Sequence, residues 1–349
     1  MTASPDLQAR LDLIVAADAF KSLPTGLTLT DGTRRETCGE GYWHAALWAL
    51  VFEDTVRSWG SDPVAVRTGL IWGDVARAAP YDLMESYLET SRAFQHGTRL
   101  VHLARRTFQS LLNVGLSQTD RDALRADLTT GDAAELADGW PEAHAHAMAL
   151  LDHRQPASSD AFRRRLAFLM EADLLKSVTR ATPICDNSRR ERSGEHSWHV
   201  AFMAMLLRDR AAAPTDWVRT VDMLLIHDLV EIDAGDVPIH GTHDPEAQER
   251  AELRAAERLY GLLPAEQGTA MKTLWHGFEA ARTPEALFGK AIDRVQPVIC
   301  NLEAGGGSWR DYEVTFDQLE RRVAGKVRLG APAVWEALRP RIEDWFANA

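Results

Sequence analysis

Four side chains in the second half of the chain have the types and context of ligands for one divalent metal ion. His196 lies early in one predicted amphipathic helix and Asp293 lies in another, within GKAIDRVQP. His227 and Asp228 are adjacent near the end of a third, within MLLIHDLVEIDAGD. Imidazole and carboxylate together suit Zn²⁺, Mn²⁺, Fe²⁺, Co²⁺ or Ni²⁺. Because neighbouring helix residues diverge by about 100°, the adjacent pair can flank an ion only if other helices supply further ligands.

Two more carboxylates follow this pair. An isolated His-Asp pair could equally be a satisfied core or surface group, so the surrounding residues matter. Glu231 falls one turn after His227, on the same face of the predicted helix. Asp236 follows Gly235, where that helix should stop. Both carboxylates are expected to face the same cavity as the ion, which favours a metal site inside a helical bundle.

The elements that must position these residues are predicted to be helices. Apolar residues recur at three-to-four spacing in segments such as 198–207 and 217–230. Alternating strand patterns are scarce, so the fold class is predicted to be all-α. The 349 residues, 45% of them hydrophobic, allow two domains with sizeable cores.

Charge and cysteine content exclude several classes of protein. The net charge of −12 is unfavourable for binding a nucleic-acid polymer, but a metal and a few local cations could still hold a small phosphorylated substrate. The three cysteines form no CxxC pair, which is typical of a reducing cytoplasm. The start of the chain does not resemble a secretory signal, and no apolar run is long enough to span a membrane.

The chain contains an internal repeat at an offset of 155 residues. Residues 34–46, RRETCGEGYWHAA, match residues 189–201, RRERSGEHSWHVA, at 8 of 13 positions without a gap. The linker-like stretch HRQPASSD at 153–160 separates the copies. We therefore predict two tandem helical domains, residues 1–155 and 156–349.

The second copy resembles the HD superfamily, and within it the YfbR-type 5′-deoxynucleotidase-like branch. The resemblance rests on EHSWHVA at 195–201, LLIHDLVEIDAGDVP at 224–238 and TPEALFGKAIDRVQPVICN at 283–301, and it covers nearly all of 160–349. It implies an all-helical hydrolase that binds one divalent ion, of uncertain identity with Mg²⁺ included, and releases phosphate from nucleoside 5′-monophosphates or related esters. One departure is His276–Gly277 after the LW pair, where relatives usually carry acids.

The resemblance also implies roles for individual residues. The four ligand positions are those matched by His196, His227, Asp228 and Asp293. Glu231 matches the carboxylate that activates water, and Asp236 matches an acid near the sugar. Arg189 matches a phosphate-binding arginine, with Arg190 and Lys290 as further candidates. Because Arg189 and Arg190 recur in the first copy, a structural salt bridge is an equal alternative for them.

The first copy is predicted to have lost the chemistry. At the ungapped offset, Gly41 stands opposite His196, and Trp72 and Gly73 stand opposite the His-Asp pair. A shift of one residue would set Asp74 against Asp228, and Asp138 falls opposite Asp293 in poorly matching sequence. Residues kept in both copies are more typical of scaffold, so His199, which matches His44, is predicted to be a packed core histidine.

Alternatives remain open at this stage. One is an HD hydrolase of nucleoside triphosphates or alarmones, and another is a regulatory protein that binds a nucleotide without turnover. A two-iron oxygenase would need more histidines, and His240 and His243 fit an exposed loop better than a second metal site. The repeat further suggests that the first copy replaces a second subunit in an internal pseudo-dimer, with a homodimer also possible.

Overall fold

The computed structural model describes residues 4–77 and 92–348. It is predominantly helical, which confirms the all-α prediction. The helices are α1 Pro5–Ala17, α2 Cys38–Val51, α3 Glu53–Ser58, α4 Pro63–Trp72, α5 Arg92–Leu111, α6 Gln118–Thr130, α7 Leu136–Gly139, α8 Pro141–Leu151, α9 Asp160–Ala172, α10 Ser193–Leu206, α11 Trp217–Ile226, α12 Glu231–Ala234, α13 Pro245–Tyr260, α14 Ala265–Ala280, α15 Pro284–Glu303, α16 Gly307–Asp311, α17 Phe316–Leu319, α18 Gly325–Gly330 and α19 Pro332–Asn348. Across these ranges, no helix has the length and apolar character needed to cross a membrane.

Two short antiparallel hairpins interrupt the helices. The strands are β1 Pro24–Thr28, β2 Arg35–Thr37, β3 Thr179–Pro183 and β4 Arg190–Arg192, and β1 pairs with β2 as β3 pairs with β4. The sequence analysis did not predict them, because strands of three to five residues without apolar alternation give almost no periodic signal.

The helices that carry the site begin at clear capping signals. The Asp216 side chain accepts hydrogen bonds from the first turn of α11, and Thr283 accepts one from Ala286 before the proline-initiated α15. The third helix of the site is α10, all fourteen of whose residues are buried. A helix that is buried on every side is the centre of a bundle, and α10 packs against both α11 and α15.

The repeat is visible in the element boundaries. Adding 155 to the bounds of α1, β1, β2 and α2 gives the bounds of α9, β3, β4 and α10, residue for residue. The next corresponding pair, α4 and α11, differs by 154, and so do their capping residues Asp62 and Asp216. The offset therefore changes by one residue between α2 and α4 in the first copy, which corresponds to the segment between α10 and α11 in the second.

The chain folds into two compact units in which the first helix of each copy is exchanged. One unit contains Met1–Leu23, Leu175–Tyr260 and Glu266–Ala349, and the other contains Pro24–Leu174 and Gly261–Ala265. In the first unit α1 packs on α10, and in the second α9 packs on α2. The predicted boundary at 155/156 marks where the repeat restarts along the chain. It does not separate the compact units, because each leading helix packs with the other copy.

Candidate metal centre

Three helices bring the candidate ligands together. His196 is the fourth residue of α10 and is fully buried, and Asp293 lies in the middle of α15. The structure corrects one expectation about the third helix, because α11 ends at Ile226. Residues 227–230 form a turn, and Glu231 begins the separate short helix α12. His227 and Asp228 therefore diverge within a turn rather than along a continuous helix.

The ligand atoms lie at separations that one ion would bridge. Asp293 Oδ1 lies 3.1 Å from His196 Nε2 and 3.7 Å from His227 Nε2. Asp228 approaches the same two nitrogens at 3.9 and 3.0 Å. Ligands about 2.1 Å from one ion, at octahedral or tetrahedral angles, lie about 3.0–3.4 Å apart. His196, His227 and Asp293 form one of the residue groups close enough together to ligate a single ion.

Hydrogen bonds on the far side of each ring direct the ligand nitrogens inward. His227 Nδ1 lies 2.8 Å from the Leu224 carbonyl, and His196 Nδ1 lies 3.1 Å from Glu191 Oε2. Each Nδ1 therefore carries the proton, which leaves both Nε2 lone pairs facing carboxylate oxygens. His227 Nε2 is buried and has no hydrogen-bond partner among the described residues. Facing acceptors call for a shared proton or a cation between them, and this set of imidazole and carboxylate groups fits a divalent ion.

The pKa shifts of His227 and Asp228 also show that the centre favours a positive charge. Burial alone would lower the pKa of His227, but the carboxylates of Asp228 and Asp293 raise it to about 10. Burial would raise the pKa of Asp228, whereas His227 and Arg180 lower it. A cation in the centre would replace the proton that these carboxylates otherwise stabilise on the imidazole.

Arg180, which the sequence analysis missed, lies beside the ligands. It is in β3, its side chain is 12% exposed, and Nη1 donates to Asp228 Oδ2 at 2.7 Å. The same nitrogen lies 3.5 Å from both Glu231 Oε1 and Asp236 Oδ1. A comparison of the two copies could have identified it, because Thr25 occupies the position 155 residues earlier. The signal is that only the copy with the candidate ligands has an arginine at this position, whereas the other copy has a threonine.

Glu231 and Asp236 both lie 3.5 Å from Arg180 Nη1, beside the ligand Asp228. Burial and the Asp228 carboxylate raise the pKa of Glu231 well above its usual value, and Ser193 Oγ donates to Glu231 Oε2 at 2.6 Å. Asp236 follows Gly235, whose φ of 76° ends α12. Burial raises the pKa of Asp236 as well.

The three predicted substrate-binding cations are engaged elsewhere. Both terminal nitrogens of Arg189 contact the Glu195 carboxylate, at 2.5 and 2.9 Å. Arg190 pairs with Asp311 and the Ala181 carbonyl. Lys290 pairs with Glu279 at 2.9 Å and lies over the Phe278 ring. The first two therefore have the structural ion pairs that were the alternative to phosphate binding.

Three further histidines, His199, His240 and His243, were not predicted to bind the ion. His199 is buried, with Nε2 3.0 Å from the Ile14 carbonyl, so the prediction of a core histidine is confirmed. His240 and His243 belong to none of the metal-competent residue groups found within 4–77 and 92–348. His240 instead lines a cavity next to the centre, together with Arg180, Asp236 and Arg294.

The first copy holds different groups at the corresponding positions. The ends of α4 and α11 pair Gly73 with His227 and Asp74 with Asp228, which corrects the ungapped pairing of Trp72 and Gly73 with these ligands. Asp74 accepts a hydrogen bond from Tyr42. Asp138 lies in the four-residue helix α7, which does not correspond to the long α15, so its match with Asp293 was coincidental.

Comparison with known proteins gives consistent matches. The HD domain family matches residues 172–335. The chain is 32% identical over 165 residues to the 5′-deoxynucleotidase HDDC2 of Xenopus laevis, which covers 47% of this chain and 75% of the relative. The Mus musculus protein of the same name is 28% identical, over 41% of this chain and 71% of the relative. A solved structure, a predicted metal-dependent phosphohydrolase from Magnetospirillum magnetotacticum MS-1, is 38% identical with a TM-score of 0.50, and the match covers 54% of this chain and 96% of that one.

Proposed function

The chain belongs to the HD-domain family, and from this premise we propose that it is a metal-dependent phosphohydrolase that releases phosphate from nucleoside 5′-monophosphates, deoxynucleotides in particular. The observation that carries the proposal is that carboxylate oxygens of Asp228 and Asp293 lie 3.0 and 3.7 Å from the buried Nε2 of His227, close to the imidazole of His196. His227 Nε2 has no hydrogen-bond partner among the described residues. The similarity to proteins named 5′-deoxynucleotidase supports the choice of substrate.

These four residues would hold the ion. Their mixed nitrogen and oxygen set favours Mn²⁺, Co²⁺, Zn²⁺, Fe²⁺ or Ni²⁺ over Mg²⁺, which prefers oxygen ligands. When bound, such an ion lowers the pKa of a water molecule and offsets negative charge on phosphoryl oxygens.

We assign proton transfer to Glu231. Its Oε2 accepts the Ser193 hydroxyl, so Oε1 is the oxygen available to take a proton from the attacking water. A buried carboxylate with a raised pKa is a stronger base than an exposed one, which suits this role near neutral pH.

Arg180 and Asp236 are the proposed substrate contacts. Arg180 is the cation nearest the ligands among those described above, and its planar group of donors matches phosphate oxygens. It replaces Arg189, Arg190 and Lys290 as the first candidate, because it contacts the ligand Asp228 itself. The other three pair with carboxylates outside the ligand set, namely Glu195, Asp311 and Glu279. We assign the contact with the sugar to Asp236, which lies 3.5 Å from Arg180 Nη1.

We further propose that residues 1–155 are a degenerate HD-like helical domain without metal ligands, which replaces a second subunit. The matched element bounds and the exchanged leading helices support this proposal. A symmetric homodimer in solution, joined through its catalytic halves, would argue against it. The three free cysteines fit a reducing, cytoplasmic location.

The test is phosphate release from a panel of nucleoside mono- and triphosphates with Mn²⁺, Co²⁺, Zn²⁺ or Mg²⁺. A His227→Ala, Asp228→Ala double variant is the control. Release from monophosphates that the double variant loses would support the proposal and rank the bases. Release only from triphosphates would replace the substrate class, and no release from a protein that still binds metal and nucleotide would indicate a regulatory role.

A further inference from the structure

A chain of buried side chains connects the first 23 residues to the metal ligand His196. Lys21 Nζ donates to Glu191 Oε1 at 2.7 Å, and Glu191 Oε2 lies 3.1 Å from His196 Nδ1. The side chains of all three residues are 0% exposed. Lys21 lies in the turn after α1, in the part of the first copy that packs within the catalytic unit.

We propose that Lys21 is a positioning residue for the metal centre. It fixes the carboxylate of Glu191, which in turn fixes the tautomer and the ring orientation of His196. The inference rests on the metal-binding part of the proposed function and adds to it a contribution from the copy that has lost the ligands.

The contacts of Glu191 explain why its orientation depends on Lys21. Oε1 accepts from Lys21 and from Gln296 Nε2, at 2.7 and 2.8 Å. Oε2 faces the imidazole and lies 3.7 Å from Arg180 Nε, beyond hydrogen-bonding distance. A buried carboxylate needs a compensating charge nearby. With that charge on one side and the His196 N–H on the other, the carboxylate holds the ring with Nε2 toward Asp293.

Lys21 is itself held rigidly. Its ammonium group also donates to Asp18, whose second oxygen accepts the backbone N–H of Cys185 at 2.7 Å. Asp18 and Cys185 are both in the same compact unit as the metal ligands. The lysine therefore bridges two fixed carboxylates, and a neutral side chain of similar length would leave both without their shared cation.

The repeat provides a matched control. Lys176 stands 155 residues after Lys21 and is equally buried. The carboxylate that corresponds to Glu191 is Glu36, which Arg105 contacts at 2.7 Å and which faces Gly41 instead of a ligand. If both lysines only stabilise the fold, substituting either one should lower stability and leave metal affinity unchanged. If Lys21 positions His196, its substitution should also weaken metal binding, and substitution of Lys176 should not.

The experiment measures Co²⁺ affinity and the Co²⁺ absorption spectrum of the full chain for wild type, Lys21→Met, Lys21→Gln, Lys21→Arg and Lys176→Met. Substitution of a residue that hydrogen-bonds to a metal-bound histidine typically lowers metal affinity or activity by about 10–100-fold. We expect Lys21→Met to bind Co²⁺ about tenfold more weakly with an altered spectrum, and Lys21→Arg to recover most of the affinity. Lys176→Met should keep wild-type affinity and spectrum even where its melting temperature falls.

Each outcome decides the inference. Wild-type Co²⁺ affinity in Lys21→Met, or an equal loss in Lys176→Met, would overturn it. If Lys21→Met does not fold, Lys21→Gln against Lys21→Arg decides, and wild-type affinity in the glutamine variant would overturn it. A wild-type protein that binds no metal would defeat the metal site itself. One that binds metal without releasing phosphate would defeat only the proposed activity and leave this test intact.

Discussion

Glu36 and Glu191 occupy corresponding positions of the two copies, and their partners differ in kind. Glu191 accepts from Lys21 and faces the ligand His196. Glu36 is held by both terminal nitrogens of Arg105, at 2.7 and 3.1 Å, and both side chains of that pair are almost fully buried. In the first half of the chain this buried carboxylate contacts a guanidinium group, whereas in the second half it faces an imidazole.

Glycines stand in the first half of the chain at the positions that correspond to His196 and His227. A Cβ on Gly41, which corresponds to His196, would lie 3.0 Å from Glu36 Oε2 and 3.3 Å from Arg105 Nη2. A Cβ on Gly73, which corresponds to His227, would lie 2.5 Å from the ring of Tyr42, and its φ is +47°. Arg105 and Tyr42 therefore occupy the space that a side chain at either position would need.

The largest expected effect comes from giving the second copy the residue of the first. His196→Gly should abolish tight metal binding and reduce phosphate release by about a thousandfold, because a bound ion contributes several kcal/mol to the transition state. Metal content after dialysis and initial rates measure it. The reciprocal Gly41→His should bind no additional ion and should lower the melting temperature, and a second bound ion in that variant would contradict the comparison.

Glu231 sharpens the comparison because Arg77 stands 154 residues before it. Glu231→Gln should reduce kcat by about 10²–10³-fold, since proton transfer contributes about that much, while Co²⁺ affinity stays near wild type. Steady-state kinetics and metal titration separate the two effects. A fall in metal affinity with unchanged kcat at saturating metal would show that Glu231 acts as a ligand instead.

Arg105 tests the first copy. Arg105→Met removes a guanidinium group that the buried Glu36 carboxylate contacts at 2.7 Å, and it should destabilise the protein by about 3 kcal/mol with metal affinity unchanged. Urea unfolding and Co²⁺ titration check both statements. The double variant with Glu36→Gln should recover part of the lost stability, and equal stability of Arg105→Met and wild type would contradict a stabilising role for the pair.

The smallest effect concerns His199, the core histidine shared with the first copy. Burial, together with the positive charge of Lys21, lowers its pKa from 6.5 to about 3. Below pH 6.5 the unfolded chain takes up a proton that the folded protein refuses, so stability should fall as pH decreases toward 3. The slope contributed is at most about 1.4 kcal/mol per pH unit. Urea midpoints from pH 8 to pH 5 should show a shallower decline in His199→Asn, and an unchanged decline would contradict the assignment.

Much of this protein could be predicted from its sequence. Helical periodicity predicted the fold class. Residue types, their sequence context and the resemblance to the HD superfamily predicted the ligands, and in the structure their histidine nitrogens lie 3.0–3.9 Å from their carboxylate oxygens. The repeat predicted a copy without ligands. The ungapped alignment of the two copies agrees with the element bounds as far as α2 and α10. It is wrong by one residue at α4 and α11, because the offset changes in the segment between helices, where the residue types give no signal.

Only the tertiary structure decided which cations meet the ligands and which helix packs with which copy. Arg180 and Arg189 are both arginines near a hairpin, yet one contacts Asp228 and the other Glu195. Lys21 reaches Glu191 although 170 residues separate them. Local patterns determine secondary structure and the types of residue that a site contains, because both follow from short-range periodicity. The partner of a long charged side chain, and the exchange of a leading helix, depend on contacts between segments far apart in the sequence, which no local pattern contains.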